Sequence, residues 1–500
     1  MKKIGLPLLT GLIILLLVYL HQLAILQEKP AADWSRSVSL DVAAEDNEMF
    51  VQHEENSSTL FFSGDPVRKV VVNEQLETTT EKLNYTIPEG YSFYVDDQQA
   101  IYKKSDELIY ATNGKETPIL KDIEGINVSE NGVIAWSRHT AYTISPDGKI
   151  KSETELPQYI KSGTLTENGL AFLYVQSEDA NQFLTFNAEK EPNVLYETPL
   201  TSGEIYSNLQ MIELEDKLTF TYTVGATRQG TRIINTYLGE SVGGKEADVH
   251  LLKIKNAETG DSFEKPNYFS LTENDGEAHL LFSSNGEISP KRSVISIYEA
   301  TQKDGEWVAS RRSTSEELSI RPVSITDQAL VWMDQEKSGL VLHGASTDST
   351  VVKKSSSLSS DDLTYALYYT FTAIVGMFAM LAFSFGFLIL PAVALMYFYF
   401  ANTTAIEKDK KWVEWTIVLL CVASQILFLP SILDGPFQYL APSYLTFAGA
   451  AYVWPLIIFV AAYLISRVAQ DQEWTIMQRT SYQLGLNLGM LIFLLGPYIL

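Results

Sequence analysis

The sequence predicts an all-β domain built of repeated units and joined to an α-helical transmembrane domain. Three observations lead to this prediction. Charged residues are frequent up to Asp362 and sparse after it, short strand-like runs recur between Trp34 and Lys354, and long apolar segments start at Ile4 and Leu363. Short runs rich in Val, Ile, Tyr, Phe and Thr, cut by Gly, Asn, Asp and Ser, are typical of all-β domains.

The first apolar segment predicts a transmembrane signal-anchor over residues 1–27. It begins with Lys2 and Lys3 and continues through Ile4–Leu26, which is longer than the apolar core of a cleaved signal peptide. By the positive-inside rule, the two lysines keep the N-terminus in the cytoplasm and place residues 28–362 outside. Small residues near the end of the segment leave cleavage open as an alternative.

The second apolar stretch, residues 363–400, exceeds the roughly 20 residues that one membrane span requires. Lysines at positions 408, 410 and 411 predict a cytoplasmic loop directly after it, so the stretch crosses once, as a long helix broken around Gly386 or Pro391. Two crossings are the alternative. We therefore expect a multi-pass protein of the cell membrane with five spans and its C-terminus outside. The four C-terminal spans are predicted over 363–400, 412–433, 444–466 and 482–500.

The region 34–354 carries a repeated phrase in which a polar turn precedes a strand-like run. Strand starts aligned on these turns, with Glu48, Gly90 and Lys217 added, number seven and lie 37 to 59 residues apart. Four-stranded propeller blades repeat at roughly 40 to 50 residues, so we predict a seven-bladed β-propeller, followed by a linker over 355–362. Two packed β-sandwich domains remain the alternative. The phrase occurs as Ser129-Glu130-Asn131-Gly132, Thr166-Glu167-Asn168-Gly169, Thr272-Glu273-Asn274-Asp275-Gly276 and Thr326-Asp327-Gln328.

Three short segments inside the repeats predict hairpin turns, because Asn or Asp followed by Gly tolerates the positive φ that such turns need. They are the segments 145–149, 113–115 and 285–287. The first, with the sequence Ser-Pro-Asp-Gly-Lys, resembles the SPDGK-type turn that is common in bacterial propeller repeats. That resemblance supports the fold and implies no activity.

The charge distribution excludes some classes of partner. Residues 28–362 hold 30 of the 37 basic and 55 of the 61 acidic residues, a net charge of about −25. Such a surface repels nucleic acid and anionic headgroups, so we expect no nucleic-acid partner. The single cysteine, the scattered histidines and the absence of phosphate-, dinucleotide- and zinc-binding motifs lead us to expect no cofactor, no metal and no catalytic residue of a common class.

A few polar residues of the predicted spans are candidate sites. Glu414 lies two residues into its span, where a carboxylate at the cytoplasmic boundary is the simplest interpretation, whereas Gln425 and Asn487 lie deeper. Asn487 is flanked by Gly485 and Gly489, a small-x-x-x-small pattern that lets another helix approach. We expect this pattern to serve helix packing within the chain, with dimerisation as the alternative.

The sequence does not reveal a specific activity. The leading hypothesis is a non-enzymatic interaction, scaffold or sensor module that is anchored in the lipid bilayer and binds an extracytoplasmic protein, peptide or envelope polymer. A further membrane-protein subunit is a candidate partner. Two alternatives stay open: a component of a membrane transport or export system, and an extracytoplasmic hydrolase with its site in the propeller channel.

Overall fold

The computed structural model describes the chain except residues 1, 32, 45–47, 113, 188–189, 216, 229, 264–265, 275, 290–291, 435–436, 439–440, 470–473 and 500. Its contacts divide the chain into two units. A β-rich unit comprises residues 29–286 and 294–357, and a helical unit comprises residues 1–28, 287–293 and 358–500.

The β-rich unit is a seven-bladed β-propeller, as the repeat spacing predicts, and its sheets follow one another along the chain. The first four blades are four-stranded. Blade 1 contains β2 Met49–His53, β3 Ser57–Phe62, β4 Arg68–Asn73 and β5 Thr78–Lys82; blade 2 contains β6 Phe93–Val95, β7 Gln99–Lys104, β8 Glu107–Thr112 and β9 Lys115–Leu120. Blade 3 contains β10 Gly125–Ser129, β11 Gly132–Trp136, β12 Thr140–Ile144 and β13 Ile150–Glu155; blade 4 contains β14 Tyr159–Leu165, β15 Ala171–Gln176, β16 Ala180–Asn187 and β17 Lys190–Pro199.

Blades 5 and 6 have longer strands. Blade 5 contains β18 Glu204–Leu214, β19 Lys217–Arg228, β20 Thr231–Val242 and β21 Asp248–Leu251; blade 6 contains β22 Ile254–Asn256, β23 Asn267–Asn274, β24 Glu277–Ser289, β25 Arg292–Lys303 and β26 Glu306–Arg311. Blade 7 contains β27 Leu318–Thr326, β28 Ala329–Glu336, β29 Gly339–Ser346 and the N-terminal strand β1 Val38–Ala44. Since the N-terminal strand pairs with β29, the two ends of the domain close the ring.

The second strands of several blades are largely buried, because they pack between the sheets of neighbouring blades. All five residues of β11 and all but the last of β15 are buried. The predicted strand starts at positions 132, 169, 217, 276 and 328 coincide with second strands, whereas Glu48 and Gly90 precede the first strands of their blades. The count of seven is confirmed, although two alignment points lie one strand early.

The predicted turns have mixed outcomes. The turn 145–149 joins β12 to β13, with Gly148 at φ 75°, as predicted. At 113–115, Gly114 has φ 74°, while Asn113 lies outside the described residues. The turn predicted at 285–287 is wrong: this segment lies within the thirteen-residue strand β24.

Both ends of the propeller chain leave from one face of the disc, which we call the tether face. Ser346, the last residue of β29, accepts a backbone hydrogen bond from Ser35 and donates its hydroxyl to the carbonyl of Glu74 in the β4–β5 turn. Thr347 donates to the carbonyl of Gln328 in the β27–β28 turn. The turns that follow every first strand therefore lie on the tether face, and the first strands begin at the opposite, open face.

A short helix follows the ring just before the predicted linker. It is α2 (Ser349–Ser355), and the Asp348 side chain caps it by accepting from the amides of Thr350 and Val351. The next helix, α3, begins at Ser360 with a capping box between Ser359 and Asp362. Residues 356–359 separate the two helices, so helix covers residue 355 and residues 360–362 of the predicted linker 355–362.

The helical unit contains helices that are long and apolar enough to cross a membrane. Among the described residues, four segments meet that description: Pro7–Leu26, Asp362–Ala401, Lys411–Ile432 and Ala450–Ala469. Their outward faces carry large apolar side chains, which a lipid environment would accommodate better than water. The helices are α1 Lys2–Leu26, α3 Ser360–Phe387, α4 Ile389–Ala401, α5 Thr403–Glu407, α6 Lys411–Ile432, α7 Ser443–Thr446, α8 Ala450–Ala469 and α9 Ile476–Leu495, followed by a 3-10 turn Gly496–Tyr498.

The predicted helix break is confirmed, whereas two predicted span boundaries shift. The helix axis breaks at Leu388, between Gly386 and Pro391. The span predicted from 444 starts after Gly449, whose φ of 87° ends the preceding short segment. The helix that contains the span predicted from 482 starts at 476, because Thr475 and Gln478 form a capping box. Because α9 is not among the four most apolar segments, the total of five spans stays a prediction.

Candidate functional site

The first strands of the blades surround a central channel. Its cavity, of about 620 Å³, is lined by residues from β2, β10, β14, β18, β23 and β27, and by Ser92 just before β6. All seven blades therefore contribute to one space. Such convergence on a concave site is the main way in which a ring of similar sheets can bind a ligand.

Carboxylates gather at the end of this channel on the tether face. Glu130, Glu167, Glu213 and Glu273 all line the cavity, at or just beyond the ends of β10, β14, β18 and β23. Three of them belong to the repeated Ser/Thr-Glu-Asn phrase. Every first strand ends on the same face, so glutamates at equivalent positions of successive blades form a partial ring of negative charge. We call it the carboxylate mouth.

Glu130 is the most perturbed member of the carboxylate mouth. Burial raises the pKa of its carboxyl above the ordinary value, and the nearby charge of Glu167 adds to the increase, while a hydrogen bond from the His53 amide at 2.6 Å opposes it. The His53 ring nitrogen Nε2 lies 3.8 Å from the same carboxylate. A carboxyl with a raised pKa beside other carboxylates is a feature of sites for acid–base chemistry or cation binding.

A second feature of the channel is a set of bulges in its wall, in the half nearer the open face. The first strands of blades 5, 6 and 7 each contain a bulge in which two residues oppose one residue of the second strand. The first bulged residue has positive φ in all three: Asn208 at 52°, Tyr268 at 52° and Arg321 at 51°. This conformation is rare for residues other than glycine and costs of order 1 to 3 kcal/mol each.

A buried aromatic side chain lies opposite each bulge on the second strand. Tyr222, Phe282 and Trp332 occupy these three positions and are nearly inaccessible to solvent. Trp332 also donates its indole N–H to the buried carboxylate of Asp334 at 2.8 Å, and that carboxylate accepts from Ser319 at 2.7 Å. An aromatic residue recurs at the equivalent position of these three second strands. The bulged residues opposite share no residue type, so the bulges could not be predicted from the sequence.

The bulges border a cavity of about 670 Å³ that we call the bulge cavity. Asn208, Tyr268 and Arg321 all line it, and Tyr268 exposes 41% of its surface. Arg321 donates to Glu48 through both terminal nitrogens, at 2.6 and 3.3 Å, and its guanidinium lies 5.7 Å from the centre of the Tyr268 ring. Its Nε is buried and has no hydrogen-bond partner among the described residues.

The side chain of Gln210 joins two of the bulged strands. Its Nε2 donates to the Phe269 carbonyl at 2.6 Å, and its Oε1 accepts from the Leu271 amide at 2.7 Å. These two backbone groups lie on the channel edge of β23. The amide of Gln210 therefore occupies hydrogen-bonding positions that an added strand would otherwise use.

The deeper polar residues predicted for the spans do meet. Gln425 on α6 donates to the side-chain oxygen of Asn487 on α9 at 2.5 Å, and both are fully buried in the helical unit. Gln483, one turn before Asn487, is buried beside them. Gln425 Oε1, Asn487 Nδ2 and Gln483 Nε2 have no hydrogen-bond partner within the described part of the chain. Sequence reasoning identified two of these three amides and missed Gln483.

The structure also describes Glu414 and the two glycines of the predicted packing pattern. Glu414 is 6% exposed, in the first turn of α6, where its carboxylate complements the positive end of the helix dipole. A Cβ on Gly485 or Gly489 would meet no described atom outside its own helix turn within 4 Å, so the predicted role of this pattern in helix packing stays a prediction. Close approach occurs instead at Gly376 and Gly496, where a Cβ on Gly496 would lie 2.8 Å from the Met377 backbone.

Fold and channel together define a seven-bladed β-propeller protein whose chain also carries helices able to span a membrane. No family model matches the chain, and no curated protein matches it. Its fold is similar to solved propellers. The WD40 propeller domain of Doa1 is 10% identical, with a TM-score of 0.36, over 63% of this chain and 98% of that one. The Pan2 WD40 domain of Neurospora crassa is 9% identical, with a TM-score of 0.36, over 62% and 95%.

A protein from Lactobacillus plantarum is also similar, at 12% identity and a TM-score of 0.34, over 59% of this chain and 90% of that one. These likenesses concern the fold alone. The functional argument therefore rests on the residues of this chain.

Proposed function

We propose that this protein is a membrane-anchored binding module whose propeller captures a ligand at the open face, around blades 5 to 7, and holds it near the bilayer. The helical unit would serve as the anchor, with the propeller outside the cell membrane. The observation that carries the proposal is the triple bulge, with strained residues at Asn208, Tyr268 and Arg321 bordering one cavity.

Strain of this kind needs a compensating role, because three neighbouring blades keep a costly conformation that glycine would adopt more easily. The first strands of blades 1 to 3 contain no residue in this conformation. The chain ends leave the ring from the tether face, which is opposite the rim where the bulged strands begin. Exposed Ile205 and Ile234 in the long strands of blade 5 add apolar surface near the same rim.

Site-specific photo-crosslinking in native membranes tests this proposal. A photoreactive phenylalanine analogue replaces Tyr268 in one version of the full chain and Tyr91 in the other. Both tyrosines are 41% exposed and both precede or begin a first strand, so Tyr91 is a matched position on blade 2. We expect a discrete adduct from position 268 only.

Equal adducts from both positions, or none from position 268 in membranes where the protein is folded and inserted, would reject binding at this rim. Replacing Arg321 by alanine should weaken the adduct at position 268, because it removes the guanidinium beside the ring. An unchanged adduct in that variant would count against the bulge cavity as the site.

A second candidate function, an extracytoplasmic hydrolase, is favoured by the carboxylate mouth. It would use Glu130, whose pKa is raised, as a general acid and a neighbouring carboxylate as its partner. The test is release of reducing ends from neutral oligosaccharides by the full chain and by Glu130→Gln. Turnover that is lost in Glu130→Gln supports the hydrolase; an absence of turnover in both removes it and leaves the binding proposal standing.

A further inference from the structure

The chemistry of the bulge cavity narrows the class of ligand. Tyr268 presents an exposed ring, and the guanidinium of Arg321 lies 5.7 Å from the centre of that ring with terminal N–H groups beyond the two that Glu48 accepts. Asn208 adds an exposed amide on the adjacent blade. A flat apolar ring flanked by directional donors and acceptors binds molecules that have both an apolar face and many hydroxyl or amide groups.

The charge balance of the cavity disfavours an ionic ligand. Both terminal nitrogens of Arg321 already contact the Glu48 carboxylate, at 2.6 and 3.3 Å, so the pair is close to neutral. An anion would have to displace Glu48, and a cation would meet the guanidinium. A neutral ligand instead finds the N–H groups of the two terminal nitrogens that Glu48 does not use, and spare acceptor positions on the carboxylate.

The backbone arrangement disfavours a peptide that binds as an added strand. Such a peptide would pair with the open channel edge of β23, yet the side chain of Gln210 already holds the carbonyl of Phe269 and the amide of Leu271. A ligand in this cavity must therefore bind through side chains. That requirement suits sugar rings, whose hydroxyl groups both donate and accept.

We infer that the bulge cavity binds a neutral glycan chain, with a sugar ring stacked on Tyr268 and its hydroxyl groups contacting Arg321, Glu48 and Asn208. This inference rests on the proposed function and specifies its ligand. The geometry matches a segment of a polymer better than a single sugar, since the cavity of about 670 Å³ opens onto the channel and shares Asn208 and Arg321 with it.

Calorimetric titration of the full chain tests the inference. The protein is held in nanodiscs, because glycoside detergents would compete, and is titrated with the β-1,4-linked hexamers of glucose and of N-acetylglucosamine. We expect saturable binding of at least one hexamer. Tyr268→Ala should weaken it about tenfold and Tyr268→Phe less than about threefold, since stacking needs only the ring. Tyr91→Ala is the matched control and should leave affinity unchanged.

The outcomes separate this inference from the proposed function. Binding of neither hexamer, or equal affinity in Tyr268→Ala with an unchanged melting temperature, overturns the glycan assignment. The adduct captured at position 268 gives the second readout: digestion by glycoside hydrolases supports the inference, whereas digestion by proteases alone rejects the glycan and keeps the binding face. Absence of any adduct rejects both.

Discussion

Blades 1 to 3 and blades 5 to 7 share one architecture but differ in how their first strands are built. β2, β6 and β10 have three to five residues, pair in unbroken register and contain no residue with positive φ. β18, β23 and β27 have eight to eleven residues, and each contains a bulge with one strained residue. A propeller blade therefore forms without a bulge in its first strand. The bulges distinguish the side of the ring that contains blades 5 to 7 from the side that contains blades 1 to 3.

The largest expected effect concerns the aromatic residue behind a bulge. Trp332→Ala empties a fully buried site and removes the N–H that Asp334 accepts, so the free energy of unfolding should fall by about 4 to 5 kcal/mol. Trp136→Ala, on the second strand of unbulged blade 3, should cost about 3 kcal/mol. Denaturation of both variants, with hydrogen exchange of residues 318–326, checks this. Equal losses, and no faster exchange in β27, would show that Trp332 does not support its bulge.

The next effect tests an ion cluster that stabilises blade 6. Glu299 is buried and accepts from His279 at 2.7 Å and from Arg312 at 2.8 Å. Burial alone would raise its pKa, but the hydrogen bond from His279 and the charge of Arg312 hold it below the ordinary value. Glu299→Gln should therefore lower the free energy of unfolding by about 3 kcal/mol near neutral pH.

The acid dependence follows from the direction of that shift. The contribution of Glu299 is fully present above its ordinary pKa of 4.5 and is lost as pH falls through the lower folded value. Melting curves should show that the gap between Glu299→Gln and the parent narrows as pH falls below about 4.5. Glu306→Gln, in an exposed pair with Lys255, should change stability by less than about 0.5 kcal/mol. A constant gap at all pH values would contradict the assigned shift.

A smaller effect compares two glutamines that bridge neighbouring first strands on opposite sides of the ring. Gln210 makes two short hydrogen bonds to β23, whereas Gln52 makes one, at 3.3 Å, to the Val95 carbonyl. Gln210→Ala should cost about 2 kcal/mol and Gln52→Ala about 0.5 kcal/mol. Chemical denaturation of the two variants measures the difference, and a reversed order would break the proposed asymmetry between the two halves.

The smallest expected effect has the opposite sign. Tyr268→Gly should raise the free energy of unfolding by about 1 kcal/mol, because glycine adopts a φ of 52° without strain. Ser270→Gly, two residues later on the same strand, should destabilise by about 0.5 to 1 kcal/mol. Thermal melts distinguish the two variants. A Tyr268→Gly variant that is less stable than the parent would show that the bulge carries no stored strain.

Some of this architecture is readable in the sequence, and some is not. The turn phrase ending at Gly132 and Gly169 recurs because each blade needs a tight turn before its most buried strand, so the number of blades follows from spacing. The bulges are not readable, since Asn208, Tyr268 and Arg321 differ in type and only their register is shared. The contact between Gln425 and Asn487 required knowing which helices are neighbours.

Closure of blade 7 by the N-terminal strand has a consequence for synthesis. Val38 pairs with Gly344, so β1 leaves the ribosome first yet gains its hydrogen-bonded neighbour only after every other blade has been made. Pairing across so long a stretch of chain is slow, and until then β1 presents an unpaired edge. Closure of the ring is therefore a late step of folding. A chain truncated before β29 leaves its first strand without a partner, and chaperones and proteases would recognise that exposed edge.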